Sequence, residues 1–199
     1  GTWLSLVLKD AFAMVGMSAY LVLILDVNAT VLALVLIAMF TLVNVVGSKA
    51  SASLQLVLVV VVLGAMAWFI VEGLAETTSR GFDGSNLDPF FTTGVSGIAT
   101  VVGLVFVSFG GLTKVASAAE EVEDPSHRIP LGMALSLATA TALYTLGVLV
   151  VVALVPPDVL HGDLAPVHTA AQAILPKVGV WLVVVAALAA FSSAVNAGI

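Results

Sequence analysis

Apolar runs about as long as a bilayer is thick recur along this chain, separated by stretches of polar character. Six of them approach or pass the ~20 apolar residues that a spanning helix needs: residues 3–25, 31–46 with its flanks, 54–71, 95–109 and beyond, 131–155 and 178–199. Long stretches carry no polar face at all, whereas a soluble helical domain would need one on its outer helices. The pattern predicts an all-α membrane protein with six membrane segments in a single transmembrane domain over residues 1–199. No long linker or internal repeat divides it.

The connections differ in kind. "EGLAETTSRGFDGSNLDPF" (72–90) and "PPDVLHGDLAPVHTAAQAILPK" (156–177) are polar and rich in Gly, Pro, Asp and Ser, and are expected as exposed loops. "GSKASAS" (47–53) is a short link. The first run begins without an initiator methionine and the last is still apolar where the sequence stops, so the chain reads as the middle of a longer polypeptide.

Composition strengthens the membrane reading: 61% of the 199 residues are hydrophobic and 9% charged, against ~25% charged in an average soluble domain. The formal net charge is −6, and the acids sit mostly in connections, at Glu72, Glu76, Asp83, Asp88, Asp158 and Asp163. With no cysteine, the chain has no disulfide, thiol nucleophile or thiolate metal site. Lys9, Lys49, Lys114 and Arg128 fall toward one side of the expected topology and Arg80 and Lys177 toward the other. That asymmetry makes the first side cytoplasmic.

The informative positions are the polar or helix-breaking ones inside apolar runs. In "FVSFGGLTKVASAAEEVEDPSHRIP" (106–130) the fourth run meets Gly110–Gly111, then becomes amphipathic and acidic before Pro125 and Pro130. Adjacent glycines lower helix propensity by roughly 1 kcal/mol each. Freed backbone groups survive at membrane depth only where they are buried in protein or line a wet cavity. Two readings stand here: a broken helix at a binding site, or close helix packing of the kind membrane glycines often provide.

The same stretch resembles the sixth helix and following loop of the amino acid–polyamine–organocation (APC) permeases, whose pattern is approximately F-x-[AS]-[FY]-x-G-F-[DE], a variable stretch, A-E-E-[VT]-x-[ND]-P and a further I-P. Phe106, Ser108, Phe109, Gly111, Ala119, Glu120, Glu121, Val122, Asp124, Pro125, Ile129 and Pro130 fit it. "GTWLSLVLKDAFAMVGMSAYL" resembles the family's third helix and "AALAAFSSAVNAGI" its eighth. The resemblance implies helices three to eight of about twelve, in an inverted five-plus-five repeat with a discontinuous helix. It also implies substrate binding at Phe106, Val107, Ser108, Phe109, Gly110 and Gly111. The chain departs from the family at Leu112 for an aromatic residue, at Thr113 for an acid, and at Val107, where some relatives place a second phenylalanine.

Relatives also often carry a lysine in the middle of the fifth helix, in the manner of a built-in sodium ion. Here no lysine occurs from Ala50 to Thr113, and the equivalent place is about Val62. Ser192 and Ser193 fall where sodium-coupled members of the fold place hydroxyl ligands, and so form a candidate sodium site. Hydrogen bonding between helices is the alternative for them. Lys9 and Asp10 are the charges well inside a run. An intramembrane charge marks function by default, though Lys9 also fits a place near the cytoplasmic interface.

Two rivals come from other classes. "GVSG" (94–97) matches a nucleophile motif of intramembrane serine proteases, with Ser96 as nucleophile, but His127, His161 and His168 lie in loops or at a span edge. A channel-like or structural bundle would show no saturable solute binding. Nucleotide loops, nucleic-acid patches and metal clusters find no support. The expectation is a multi-pass permease of the cell membrane, not an enzyme, taking an amino acid or related amine by alternating access. Its partners are that solute and the lipid bilayer, with sodium or a proton as coupling ion and no cofactor.

Overall fold

The computed structural model describes residues 2–25, 27–46, 52–81, 94–109 and 124–198. Among the described residues the chain is helical and contains no strand. The helices are α1 (Thr2–Val22), α2 (Ala29–Val46), α3 (Ala52–Arg80), α4 (Gly94–Ser108), α5 (Pro125–Leu154), α6 (Pro157–Leu160), α7 (Pro166–Ile174) and α8 (Lys177–Gly198). Each of the six apolar runs is one of the longer helices. Leu56–Arg80, Pro125–Leu154 and Lys177–Val195 are long and apolar enough to cross a bilayer, and Thr30–Met39 and Gly94–Phe106 are shorter apolar helices. Large apolar side chains such as Leu34, Leu42, Val60, Val71 and Val148 face outward, as they should where the surrounding solvent is lipid.

Two ends differ from the sequence-based expectation for local reasons. α3 runs on to Arg80, past the expected end at 71. Its extra turns are held from within: Arg80 pairs with Glu76 at 2.6 Å, and Trp68 Nε1 donates to Glu72 at 3.2 Å. The hydroxyls of Thr77 and Thr78 donate back to the carbonyls of Gly73 and Leu74, both at 2.7 Å. Gly81, at φ 79°, then ends the helix in a left-handed conformation that glycine adopts without strain. α5 starts at Pro125 and not at 131, because a proline in the first turn lacks only an N–H that would be unpaired anyway.

The stretch 156–177 holds two helices where an exposed loop was expected. Asp163 organises the second: its Oδ1 accepts the Ala165 N–H at 2.8 Å and its Oδ2 accepts the Thr169 hydroxyl at 2.6 Å. α7 then buries His168, Ala170 and Ala171 against its neighbours.

Among the described helices α8 packs against α1, α3, α7 and α2. One core cluster joins Phe69 and Ile70 of α3, Val150 and Val151 of α5, Ala170 and Ala171 of α7 and Val183 of α8. A second joins Ala13, Met14 and Met17 of α1 to Leu36 of α2 and Val195 of α8. Glycine permits the close approaches between them. A Cβ on Gly16 would lie 2.5 Å from the Phe191 ring, and one on Gly73 would collide with Val150.

Candidate functional site

α4 ends where the sequence predicts a break. Its last regular residue is Ser108, and the Phe109 N–H closes a tighter turn onto the Phe106 carbonyl at 3.2 Å. The Ser108 hydroxyl donates back to the Leu104 carbonyl at 3.4 Å. A helix ending here leaves carbonyls at its C-terminal turn without intrahelical partners, and these carry the negative end of the helix dipole. Of the residues expected at the binding site, Phe106 thus has its carbonyl already engaged by one N–H. Val107 lies within α4, and Gly110 and Gly111 lie outside the described residues.

A cleft of about 670 Å³ opens between the end of α4 and α5, lined by Ser108, Phe109, Thr141, Tyr144, Thr145 and Val148 among others. Among the described residues no charged side chain lines it. The Phe109 and Tyr144 rings meet edge to face, with centroids 5.4 Å apart at 69°, a geometry the ring quadrupoles favour. The hydroxyls of Ser108, Thr141, Tyr144 and Thr145 make this an apolar cleft with a few polar points, as small-molecule sites generally are. Sequence reasoning missed Tyr144. Its signal was available: it is one of two tyrosines in the chain and sits between Thr141 and Thr145 in a run whose other hydroxyls are Ser136 and Thr139.

The serines of α8 lie at a different place. Ser193 lines a groove of about 280 Å³ together with Lys9 of α1, Leu58, Val59, Val62 and Leu63 of α3, and Ala190 and Ala194 of α8. Ser192 is half-buried and not among its lining residues, as expected for neighbours about 100° apart on a helix. The end of α4 and Ser193 therefore line separate cavities, and no cluster of three or more His, Cys, Asp or Glu suited to a metal occurs among the described residues.

The histidines do not form the arrangement a protease would need. His127 Nδ1 lies 3.2 Å from the Ser126 hydroxyl at the exposed start of α5. His168 is buried on α7, its ring edge-on to Tyr20 of α1 at 6.4 Å. Burial lowers the His168 pKa from its ordinary value, with Asp163 pulling weakly the other way. Ser96, the would-be nucleophile, sits in the first turn of α4, where its carbonyl accepts the Thr100 hydroxyl at 3.1 Å.

Comparison with known proteins bears on all of this. The amino acid permease family matches residues 1–199. A vacuolar protein of Arabidopsis thaliana, cationic amino acid transporter 4, is 33% identical over 139 residues, covering 69% of this chain and 23% of its own length. Cationic amino acid transporter 2 of the same plant, also vacuolar, is 30% identical over 171 residues, covering 85% of this chain and 27% of its own. An uncharacterized transporter of Mycobacterium bovis is 32% identical over 143 residues, covering 72% of this chain and 32% of its own. The chain thus spans about a quarter to a third of the length of these relatives.

Proposed function

Because the chain belongs to the amino acid permease family, we propose that the whole protein is a secondary active transporter, not an enzyme, that carries amino acids or related amines across the cell membrane by alternating access. The family match across all of residues 1–199 carries this reading. The geometry that supports it is the end of α4 beside an apolar cleft with four hydroxyls.

In this reading the backbone at the α4 break receives the solute's α-ammonium group. Carbonyls of Ser108 and Phe109, with the remaining lone pair of Phe106, are the acceptors, in the manner of discontinuous helices at transporter midplanes. The helix dipole adds to the attraction because its negative end points the same way. Phe109 and Tyr144 flank the cleft and take the solute's side chain. Groups outside these residues meet the carboxylate. The inward and outward forms differ by rocking of helices around this fixed point. A coupling ion, sodium or a proton, completes the cycle, with Ser192 and Ser193 the candidate residues for sodium.

The names of the Arabidopsis relatives put cationic amino acids first among the solutes to try. The uncharged lining of the cleft puts neutral ones beside them. The test is uptake of labelled amino acids by the full-length protein in proteoliposomes. Saturable uptake of at least one amino acid is expected. Flux that rises linearly with concentration, or none for any amino acid or amine, would defeat the reading, the first result favouring a channel-like bundle.

A further inference from the structure

A cavity of about 490 Å³ lies where α1 ends and α8 begins, and it shares no lining residue with the cleft at the end of α4 or the groove of Ser193. α1 and α8 pack antiparallel, with Gly16 against Phe191 and Tyr20 clustered with Val184. Leu23 and Ile24, just past the end of α1, therefore meet the first turns of α8 at this cavity. Lys177–Val195 is long and apolar enough to cross a bilayer, which puts Lys177 at the membrane–water boundary. Val184 then lies about 10 Å further in, at ~1.5 Å of rise per residue. The lining is amphipathic along that depth. His168 and Gln172 of α7, with Lys177, are its polar members, while Trp181 and Val184 of the span form an apolar wall. Leu23, Ile24 and Trp181 are exposed, so the cavity opens sideways to the bilayer.

We propose that this cavity holds an anionic phospholipid, its phosphate at Lys177 and Gln172 and the start of an acyl chain against Trp181 and Val184. Among the described residues Lys177 is the one charged side chain that lines it, and it belongs to neither of the ion pairs found there. The acid that acts on His168, Asp163, lines a different cavity and is occupied by the Ala165 N–H and the Thr169 hydroxyl. His168 is 9% exposed, yet its Nδ1 has no hydrogen-bond partner. A buried polar atom left unpaired is costly, and the hydroxyls and phosphate oxygens of a headgroup are the kind of partner it lacks. Tryptophan favours the headgroup level of a bilayer, where its ring meets both phases. A small free anion would also be drawn to Lys177, but it would leave Leu23, Ile24, Trp181 and Val184 against water, whereas an amphiphile covers both parts of the lining. The inference goes beyond the transporter reading and is independent of the solute carried.

The test takes the full-length protein in phosphatidylcholine vesicles and titrates in phosphatidylglycerol with brominated acyl chains, which quench an indole on contact. The signal of Trp181 is the difference in fluorescence between the wild type and Trp181→Phe. Half-quenching should need about fivefold less brominated phosphatidylglycerol than brominated phosphatidylcholine, the preference that one lysine near an anionic surface supplies. Lys177→Gln should remove that preference and Lys177→Arg should keep it. Inorganic phosphate or a free amino acid in millimolar excess, at constant ionic strength, should leave the quenching unchanged. Equal quenching by the two lipids, no quenching by either, a preference that survives Lys177→Gln, or relief of quenching by phosphate or the amino acid would each overturn the inference. The comparison of the two lipids on the wild type decides the matter even where a variant fails to fold.

Discussion

At the scale of single residues, a close approach between α3 and α5 depends on an absent side chain. Gly73 of α3 faces Val150 of α5, a side chain with no exposed surface, and a Cβ there would collide with the Val150 methyls. Alanine would help the helix by ~1 kcal/mol, but overpacking of a filled core costs ~1–3 kcal/mol, and a β-branched valine has little rotamer freedom with which to yield. Gly73→Ala should therefore lower the melting temperature of the full-length protein in detergent. Adding it to Val150→Ala, where the methyls are gone, should cost nothing further, because the two positions share one contact. His168 gives the opposite kind of handle. Burial holds its pKa below the ordinary value, so the folded imidazole is neutral and the unfolded chain binds the proton more readily. The stability this adds is full above about pH 6.5 and is lost as pH falls toward the lowered folded value. The wild type should melt at a lower temperature at pH 5 than at pH 7.5, and His168→Gln should narrow that difference, the other two histidines serving as the common background.

At the scale of elements, what could be read from the sequence and what could not divide along a physical line. The six long apolar runs were legible because a bilayer imposes length and apolarity on a span, and both are local properties. α4 ends at Ser108, just short of the paired glycines, which are a local signal in the sequence but lie outside the described residues. The last turns of α3 and the whole of α7 were not legible. In 72–80 the composition is polar, and the helix persists through an Arg80–Glu76 pair and hydroxyl back-bonds that composition does not reveal. In 156–177 the sequence carries loop-like Gly, Pro and Asp, yet Asp163 uses those features to start a helix whose small face, Ala170 and Ala171, packs into the core. Such burial is a tertiary fact. The cleft partner Tyr144 and the groove that Lys9 and Ser193 both line are likewise products of packing between helices far apart in sequence. In the proposed mechanism the end of α4 is where the solute binds. Replacing Gly110 and Gly111 together by leucine should abolish binding of amino acids while leaving membrane insertion intact, because leucine favours a continuous helix and fills the space at the break. Scintillation proximity binding on detergent-purified protein reads this directly. A double variant that binds as well as wild type would move the site away from the break.

At the scale of the whole molecule, the described helices pack unevenly. α8 anchors two core clusters and a third in which Tyr20, Ala165 and Val184 join α1, the start of α7 and α8. α4, by contrast, leaves Val95 83% and Phe106 74% exposed. The exposed side chains of α4 fit the proposed alternating access, in which a moving part must separate from its neighbours at modest cost. The central claim is narrower than transport itself: the backbone at the end of α4 holds the solute by its amine. The most direct measurement is competition against uptake of a labelled amino acid by the full-length protein, comparing each parent amino acid with its deaminated analogue, identical in side chain and carboxylate. The account predicts that the parent competes and that the deaminated analogue competes at least tenfold more weakly. Equal competition by the two would contradict it.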